Sequence, residues 1–281
     1  MPLSGRWGPL HRYRLATSAP RDAFGFRSSW RTVLGVDTHD RAWSGGPRPG
    51  PPLVLVHGLA VSHRYLMPVA AELAAFHPVH VIDLPGFGLS GDPGRALDVA
   101  GHAVHLAAWI DAAGLAPVVV LGNSFGCQVA VELALRFPDR VAALVLVGPT
   151  IDPSARTATR QVLRWLRDTA REDPLQLPIL ARDVRDAGSR RVAATLGHAL
   201  RDPIEAKLPL VGMPALVTRG AREPIVPRAW AETAARLLPG GELAQVPGPH
   251  NANYGAATAL AGRVLTFLRE RGVSRRPDVP A

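Results

Sequence analysis

The chain has 281 residues, 47% of them hydrophobic, enough for one large domain or for a domain with an insertion. No apolar stretch reaches the roughly 20 residues of a membrane-spanning helix, and the Arg-rich opening lacks the apolar run and cleavage site of a secretory leader. No membrane partner is therefore expected, and a cytoplasmic location is. The formal charge of +9 would suit a nucleic-acid partner, but the arginines are dispersed and Lys207 is the sole lysine, a pattern of GC-rich coding, so no nucleic-acid partner is expected either. Cys127 is the single cysteine, which excludes an internal disulfide. The sequence assigns no oligomeric state.

In chain order, residues 1–28 show no clear periodicity and read as a loosely held arm. "WRTVLGVDTHDRAWSGG" reads as two short strands with a turn near Asp37, and "PRPGPP" as a stiff loop. "LVLVHG", "VHVIDLPG", "PVVVLGNS", "VAALVLVGP", "PALVTRG" and "ELAQVPG" follow as apolar runs, unbroken in most cases rather than alternating. Such runs suit strands buried on both faces of a parallel sheet. Helical patterns separate most of them: "HRYLMPVAAELAAF", "DVAGHAVHLAAWIDAAG", "SFGCQVAVELALRF" and "PRAWAETAARLL", with "AATALAGRVLTFLRERG" closing the chain. The class is α/β, with a mostly parallel, doubly covered sheet.

From Ile151 to Val211 the strand rhythm stops. "TATRQVLRWLRDTA" puts Val162, Leu163, Leu166 and Ala170 on one helical face and Arg160, Arg164, Arg167 and Arg171 on the opposite one, read as a solvated stripe. The expected organisation is an arm (1–28), an α/β core (29–150 and 212–281) and a small helical cap (151–211).

"GNSFG" follows a strand run and opens a helix, the context that G-x-S-x-G requires. The tight turn would push Ser124 Oγ out at the carboxyl edge of the sheet. "LVLVHGLA" would bring the Leu59 N–H close to it, with the Phe125 N–H as partner, an oxyanion hole worth about 3 kcal/mol per donor. His57 reads as a structural hydrogen-bonder in that loop. Of the ten histidines, His250 alone lies late, in the loop "VPGPHNANY" after the last strand, where an imidazole could act as base to the serine.

Other patterns are weaker. His102 and His105 lack an evident third ligand, as do His77 and His80, so no metal is expected. "GFGLSG", Gly86 to Gly91, matches a dinucleotide fingerprint with Asp111 twenty residues on, but "DPG" follows where a helix should start, and no cofactor is expected. Cys127 reads as a small buried helix residue.

The pieces "HGLA", "DLPGFGLS", "GNSFG", "RGAREPIVP" and "PGPHN", in this order, resemble the α/β-hydrolase superfamily over roughly residues 53–281. The resemblance implies a serine hydrolase whose acid lies between nucleophile and histidine. That position holds Glu223 where the family usually has Asp; Asp152 in "GPTIDPS" is the alternative acid, and an ion pair to Arg219 or Arg222 would leave Glu223 structural. The implied substrate is a small, largely apolar carboxylic ester or lactone, with Leu59, Phe125 and Trp165 as candidate pocket residues, Trp165 alternatively being core. "DLPGFGLS" and "GNSFG" are also similar to C–C bond hydrolases of aromatic degradation, but "HGLAV" and Asn251 depart from their "HGGGPG" loop and tryptophan. A non-catalytic small-ligand binding protein on the same fold is the reading from a different class.

Overall fold

In a computed structural model, which describes residues 8–17 and 24–274, the apolar runs form one eight-stranded sheet. Its strands are β1 (Phe26–Val33), β2 (Val36–Trp43), β3 (Leu53–Val56), β4 (Val79–Ile82), β5 (Val118–Asn123), β6 (Val141–Val147), β7 (Ala215–Gly220) and β8 (Gly241–Val246). They lie in the order β1-β2-β4-β3-β5-β6-β7-β8. The strands from β4 to β8 in that order run parallel, and the β1–β2 hairpin joins antiparallel through β2 and β4.

The helices are α1 (Pro9–Thr17), α2 (Met67–Leu73), α3 (Val99–Ala113), α4 (Phe125–Arg136), α5 (Ala158–Thr169), α6 (Leu177–Ala187), α7 (Ser189–Arg201), α8 (Ile204–Lys207), α9 (Arg228–Leu237), α10 (Ala252–Gly255) and α11 (Ala257–Glu270). Alternate residues of the central strands feed two cores. Val54, Val56, Val118 and Val120 pack with α3, α4 and α9, while Leu53, Leu55, Val119 and Leu121 pack with α2 and α11. Burial of each such side chain contributes about 1.5–3 kcal/mol, which is why the runs do not alternate with polar residues. Asp98 caps α3 by accepting from the Gly101 N–H, and Gly114 ends it in the left-handed region.

Two sequence readings need correction. The described part of the arm is not loose: α1 buries Leu15 and Ala16 against the α2 side of the core, and Arg12 reaches Asp173 at 3.2 Å. Only one short edge of α1 is apolar and inward, so it has no visible period. Residues 1–7 and 18–23 lie outside the described residues. The hairpin turn falls at Leu34–Gly35, not near Asp37; both residues have positive φ (47° and 78°), as a two-residue turn between twisted strands requires.

Between β6 and β7 the chain builds helices α5 to α8 and short 3₁₀ turns. These lie over the carboxyl edge and are tied to the sheet domain by buried polar contacts. Arg64, in the 3₁₀ turn before α2, pairs with Asp183 of α6 and stands 3.2 Å from Asp186. Gln128 of α4 donates to the Ala199 carbonyl at 2.9 Å and to Asp202 at 3.1 Å. The α5 helix lies the other way out from a typical surface helix. It buries Gln161 and Asp168, while Val162, Leu163 and Leu166 are 44%, 48% and 53% exposed.

Candidate active site

Ser124 sits between β5 and α4 with φ 54° and ψ −117°, a backbone state that costs on the order of 1–3 kcal/mol for a non-glycine residue. The turn is held by the Ser124 N–H donating to the Val147 carbonyl at 2.9 Å. Its glycines are forced by contact. A Cβ on Gly122 would meet the Gly126 carbonyl at 2.4 Å, and one on Gly126 would meet the Val56 carbonyl at 2.4 Å. Around it Asn123 and Phe125 are buried, and Ser124 is the residue that reaches open space.

His250 lies in the loop between β8 and α10, and its Nδ1 bonds Glu223 Oε1. The other carboxylate oxygen of Glu223 accepts from the Gly220 N–H at 3.0 Å. Arg219 does not neutralise this carboxylate: its guanidinium donates to the carbonyls of Glu223 and Val226, both at 3.2 Å, and to Gln245 at 3.1 Å. The Nε2 of His250 is buried without a hydrogen-bond partner. Burial opposes a charge on this imidazole, but the charge and hydrogen bond of Glu223, with Asp168 and Glu172 beyond, push its pKa up to about 9.

Asp152, the alternative acid, is engaged elsewhere. It accepts from the backbone and hydroxyl of Ser154 and from Arg164 at 2.7 Å. Gly148, the first residue after β6, has φ 58°, and a Cβ there would meet His250 Nδ1 at 2.8 Å and Glu223 Oε1 at 2.9 Å. A bare backbone at this point makes room for the longer acid reaching from β7.

Ser124 and His250 line one cavity of about 310 Å³, together with Leu59, Phe125, Ile151, Gln161, Val162, Trp165, Val192, Leu196 and Ile225. Leu59 follows Gly58, where an added Cβ would meet Ser124 Cβ at 3.1 Å. Phe125 is the first residue of α4, where a backbone N–H has no intrahelical acceptor. Neither an arginine, a lysine nor a carboxylate lines the cavity, and most of its lining side chains are apolar.

Sequence reasoning missed four supporting groups. Tyr65 accepts from the Gly58 N–H at 2.8 Å and donates to Asn123 Oδ1 at 2.6 Å, and Asn123 donates to the Val147 carbonyl at 3.1 Å. This chain fixes the Leu59 loop against the serine turn. Burial raises the Tyr65 pKa, so it stays a donor. Asp168 and Glu172 come from the cap: Asp168 Oδ1 accepts the His250 N–H at 3.0 Å, and Glu172 Oε1 accepts the Asn251 N–H at 2.7 Å. The buried Asn123 between Gly122 and the serine is a readable signal for a partner such as Tyr65; the acids are disguised within and just after an arginine-rich helix.

The other chemical groups have structural roles. His57 bonds the Gly58 carbonyl through Nδ1 at 2.7 Å and accepts from the Leu84 N–H at 3.0 Å. Buried His102 packs edge-on to Phe125, burial pushing its pKa down to about 3, and His105 bonds Thr38 at 2.7 Å. His77 bonds the Pro51 carbonyl and His80 bonds Asp40. Cys127 is fully buried against the Gly122 carbonyl, its thiol pKa raised by burial. Among the described residues one cluster has the make-up of a metal site, His39, His63 and Asp83. There Asp83 Oδ2 accepts from both imidazoles at 2.8 Å, a hydrogen-bond network that fixes the "DLPGFG" loop. Gly88 is required by that carboxylate, which a Cβ would meet at 2.4 Å, and the next helix is α3 at Val99, so the glycines of "GFGLSG" shape a turn and not a phosphate site.

This sheet, helical insertion and serine turn have the arrangement of the α/β-hydrolase fold. Residues 51–179 match the family model described as alpha/beta hydrolase fold. The chain is 29% identical over 256 residues to the pimeloyl-[acyl-carrier protein] methyl ester esterase of Xanthomonas axonopodis, covering 78% of this chain and 95% of that one. It is 30% identical over 249 residues to the polyketide synthase ThaQ of Burkholderia thailandensis, but spans only 12% of that protein's length against 79% of its own. A Thermogutta terrifontis esterase structure shares the fold with a TM-score of 0.74 and 22% identity, over 89% of this chain and all of that one.

Proposed function

We propose that the protein is a serine hydrolase of a small, largely apolar carboxylic ester or lactone, acting through an acyl-enzyme. The observation that carries the reading is the convergence of Ser124, at a strained turn, and the Glu223-bonded imidazole of His250 on one largely apolar cavity. Ser124 Oγ attacks the carbonyl carbon while His250 Nε2 takes its proton. The oxyanion lies against the N–H groups of Leu59 and Phe125, each worth about 3 kcal/mol in the transition state. Collapse expels the alcohol, which takes the proton from His250. A water molecule, deprotonated by the same nitrogen, then releases the acid. Glu223 holds the imidazole in the tautomer that leaves Nε2 free and stabilises the imidazolium.

Support for an ester comes also from the methyl ester esterase relative, named for that bond. Asn251, where a C–C bond hydrolase would have its tryptophan, donates instead to Gln176 of the cap at 3.0 Å. The test is a panel of apolar esters, lactones and β-diketones, with a fluorophosphonate probe for the serine. Turnover of esters or lactones and labelling lost in Ser124→Ala are expected. Folded wild type that binds panel compounds but is neither labelled nor active would make this a ligand-binding protein instead.

A further inference from the structure

The outward face of α5 is at odds with a cap that merely covers a site. A helix on a water-facing surface turns its apolar stripe to the core. Here Gln161 and Asp168 point inward and are buried, Leu163 and Leu166 face out, and Val162 and Trp165, 44% and 39% exposed, stand at the edge between the two sides. Leu177, which opens α6, adds another side chain at 49% exposure. Arg160, Arg167 and Arg171 border this patch on one side and are exposed, whereas Arg164 turns in to Asp152. The acids of the same stretch, Asp168 and Glu172, point the other way, into contact with the His250 loop. The outer arc is thus apolar, aromatic and cationic, with no carboxylate in it.

We propose that this face of α5 is a peripheral docking surface for an anionic phospholipid bilayer, with α5 lying in the plane of the interface. A helix of this make-up sinks its apolar side about 5–10 Å into the headgroup boundary while its arginines meet lipid phosphates. A second copy of the chain is the weaker occupant, because two such patches would bring arginine against arginine with no acid between them. The patch is also the rim of the cavity: Val162 and Trp165 belong to both. A docked molecule would therefore receive apolar ligands from the lipid phase and not from water. This last point, and not the docking, rests on the hydrolase reading. No helix among the described residues is long and apolar enough to cross a membrane, so the association is one of lying on the surface.

The experiment is cosedimentation with vesicles of phosphatidylcholine alone and of phosphatidylcholine with phosphatidylglycerol. Wild type and Ser124→Ala are both expected to bind the anionic vesicles, and binding is expected to fall as salt rises. Leu163→Asp with Leu166→Asp should reduce binding at least tenfold, and Arg167→Gln and Arg171→Gln by about fivefold each. Neither leucine lines the cavity, so these variants should keep wild-type turnover of a water-soluble short-chain ester, which also shows that they fold. Failure of folded wild type to bind anionic vesicles would overturn the proposal. So would concentration-dependent self-association that the leucine substitutions abolish while vesicles bind nothing. Loss of the esterase activity in the proposed site, with vesicle binding intact, would overturn only the catalytic reading.

Discussion

The backbone N–H of His250 donates to Asp168 Oδ1 at 3.0 Å, so the loop carrying the imidazole is held from the cap as well as from Glu223. Glu172 repeats the contact one residue on, with the Asn251 N–H at 2.7 Å. Asp168→Ala leaves a buried N–H without an acceptor, a cost of about 1–3 kcal/mol. On the assigned chemistry it should lower kcat more than it raises KM, because the ring and not the pocket wall is displaced. Asp168→Asn keeps an oxygen acceptor and should recover most of kcat. Steady-state kinetics with urea unfolding separate the two effects; equal losses in both variants would mean that charge, not the hydrogen bond, matters.

A base must be neutral to accept the proton of Ser124. Burial lowers the His250 pKa, but Glu223, Asp168 and Glu172 outweigh it and raise the value to about 9. The protonated, inactive form therefore prevails below that value, and kcat/KM should climb with pH up to about 9 before levelling. Glu172, its own pKa pushed up to about 8 by burial and by Asp168, carries charge mainly above that pH. Glu172→Gln should move the rising limb to lower pH. A pH profile of kcat/KM on a neutral ester checks both, and a limb unmoved in the variant would count against the coupling.

Glu223→Gln should reduce kcat by about 10⁴, the loss typical when the orienting acid can no longer fix the imidazole. Glu223→Asp withdraws the carboxylate by one methylene and should cost about 10². Asp152→Asn, bonded to Ser154 and Arg164, should retain kcat. Turnover of an activated ester ranks the three; inactivity of Asp152→Asn in a folded protein would reverse the assignment.

Tyr65→Phe removes the acceptor of the Gly58 N–H and the donor to Asn123 in one change. Two orphaned buried groups should cost about 2–6 kcal/mol of stability in all. With the Leu59 loop no longer fixed, kcat should fall at least tenfold with little change in KM. Thermal unfolding and kinetics on the same preparation measure the pair.

Local patterns carry much of the architecture. Central strands such as "PVVVL" are continuous apolar runs because both faces are covered, and the serine turn is readable because glycines and serine recur at fixed offsets where a run ends. The position of Glu223 is legible as a strand end, but its contact with His250 joins residues on two different loops. Helical periodicity shows that Val162, Leu163 and Leu166 share a face; it cannot say whether that face looks in or out, which is decided by partners elsewhere such as Ala155 and His250. Tyr65 is invisible for a similar reason, since its value lies in joining Gly58 to Asn123. The arm is hidden because α1 buries only Leu15 and Ala16.

The buried pairing of Arg64 with Asp183 bears on how molecules get in and out. Parting such a pair costs about 3–5 kcal/mol, and the cap is moored again through Gln128, through the His250 loop and through Arg12. Swinging the cap aside as a unit would be a rare event. Traffic through the site is then set by the rotation of single side chains at the rim, Trp165 foremost. The girth of a substrate, more than the strength of its binding, would decide how fast it arrives, and a bulky product would leave more slowly than it forms.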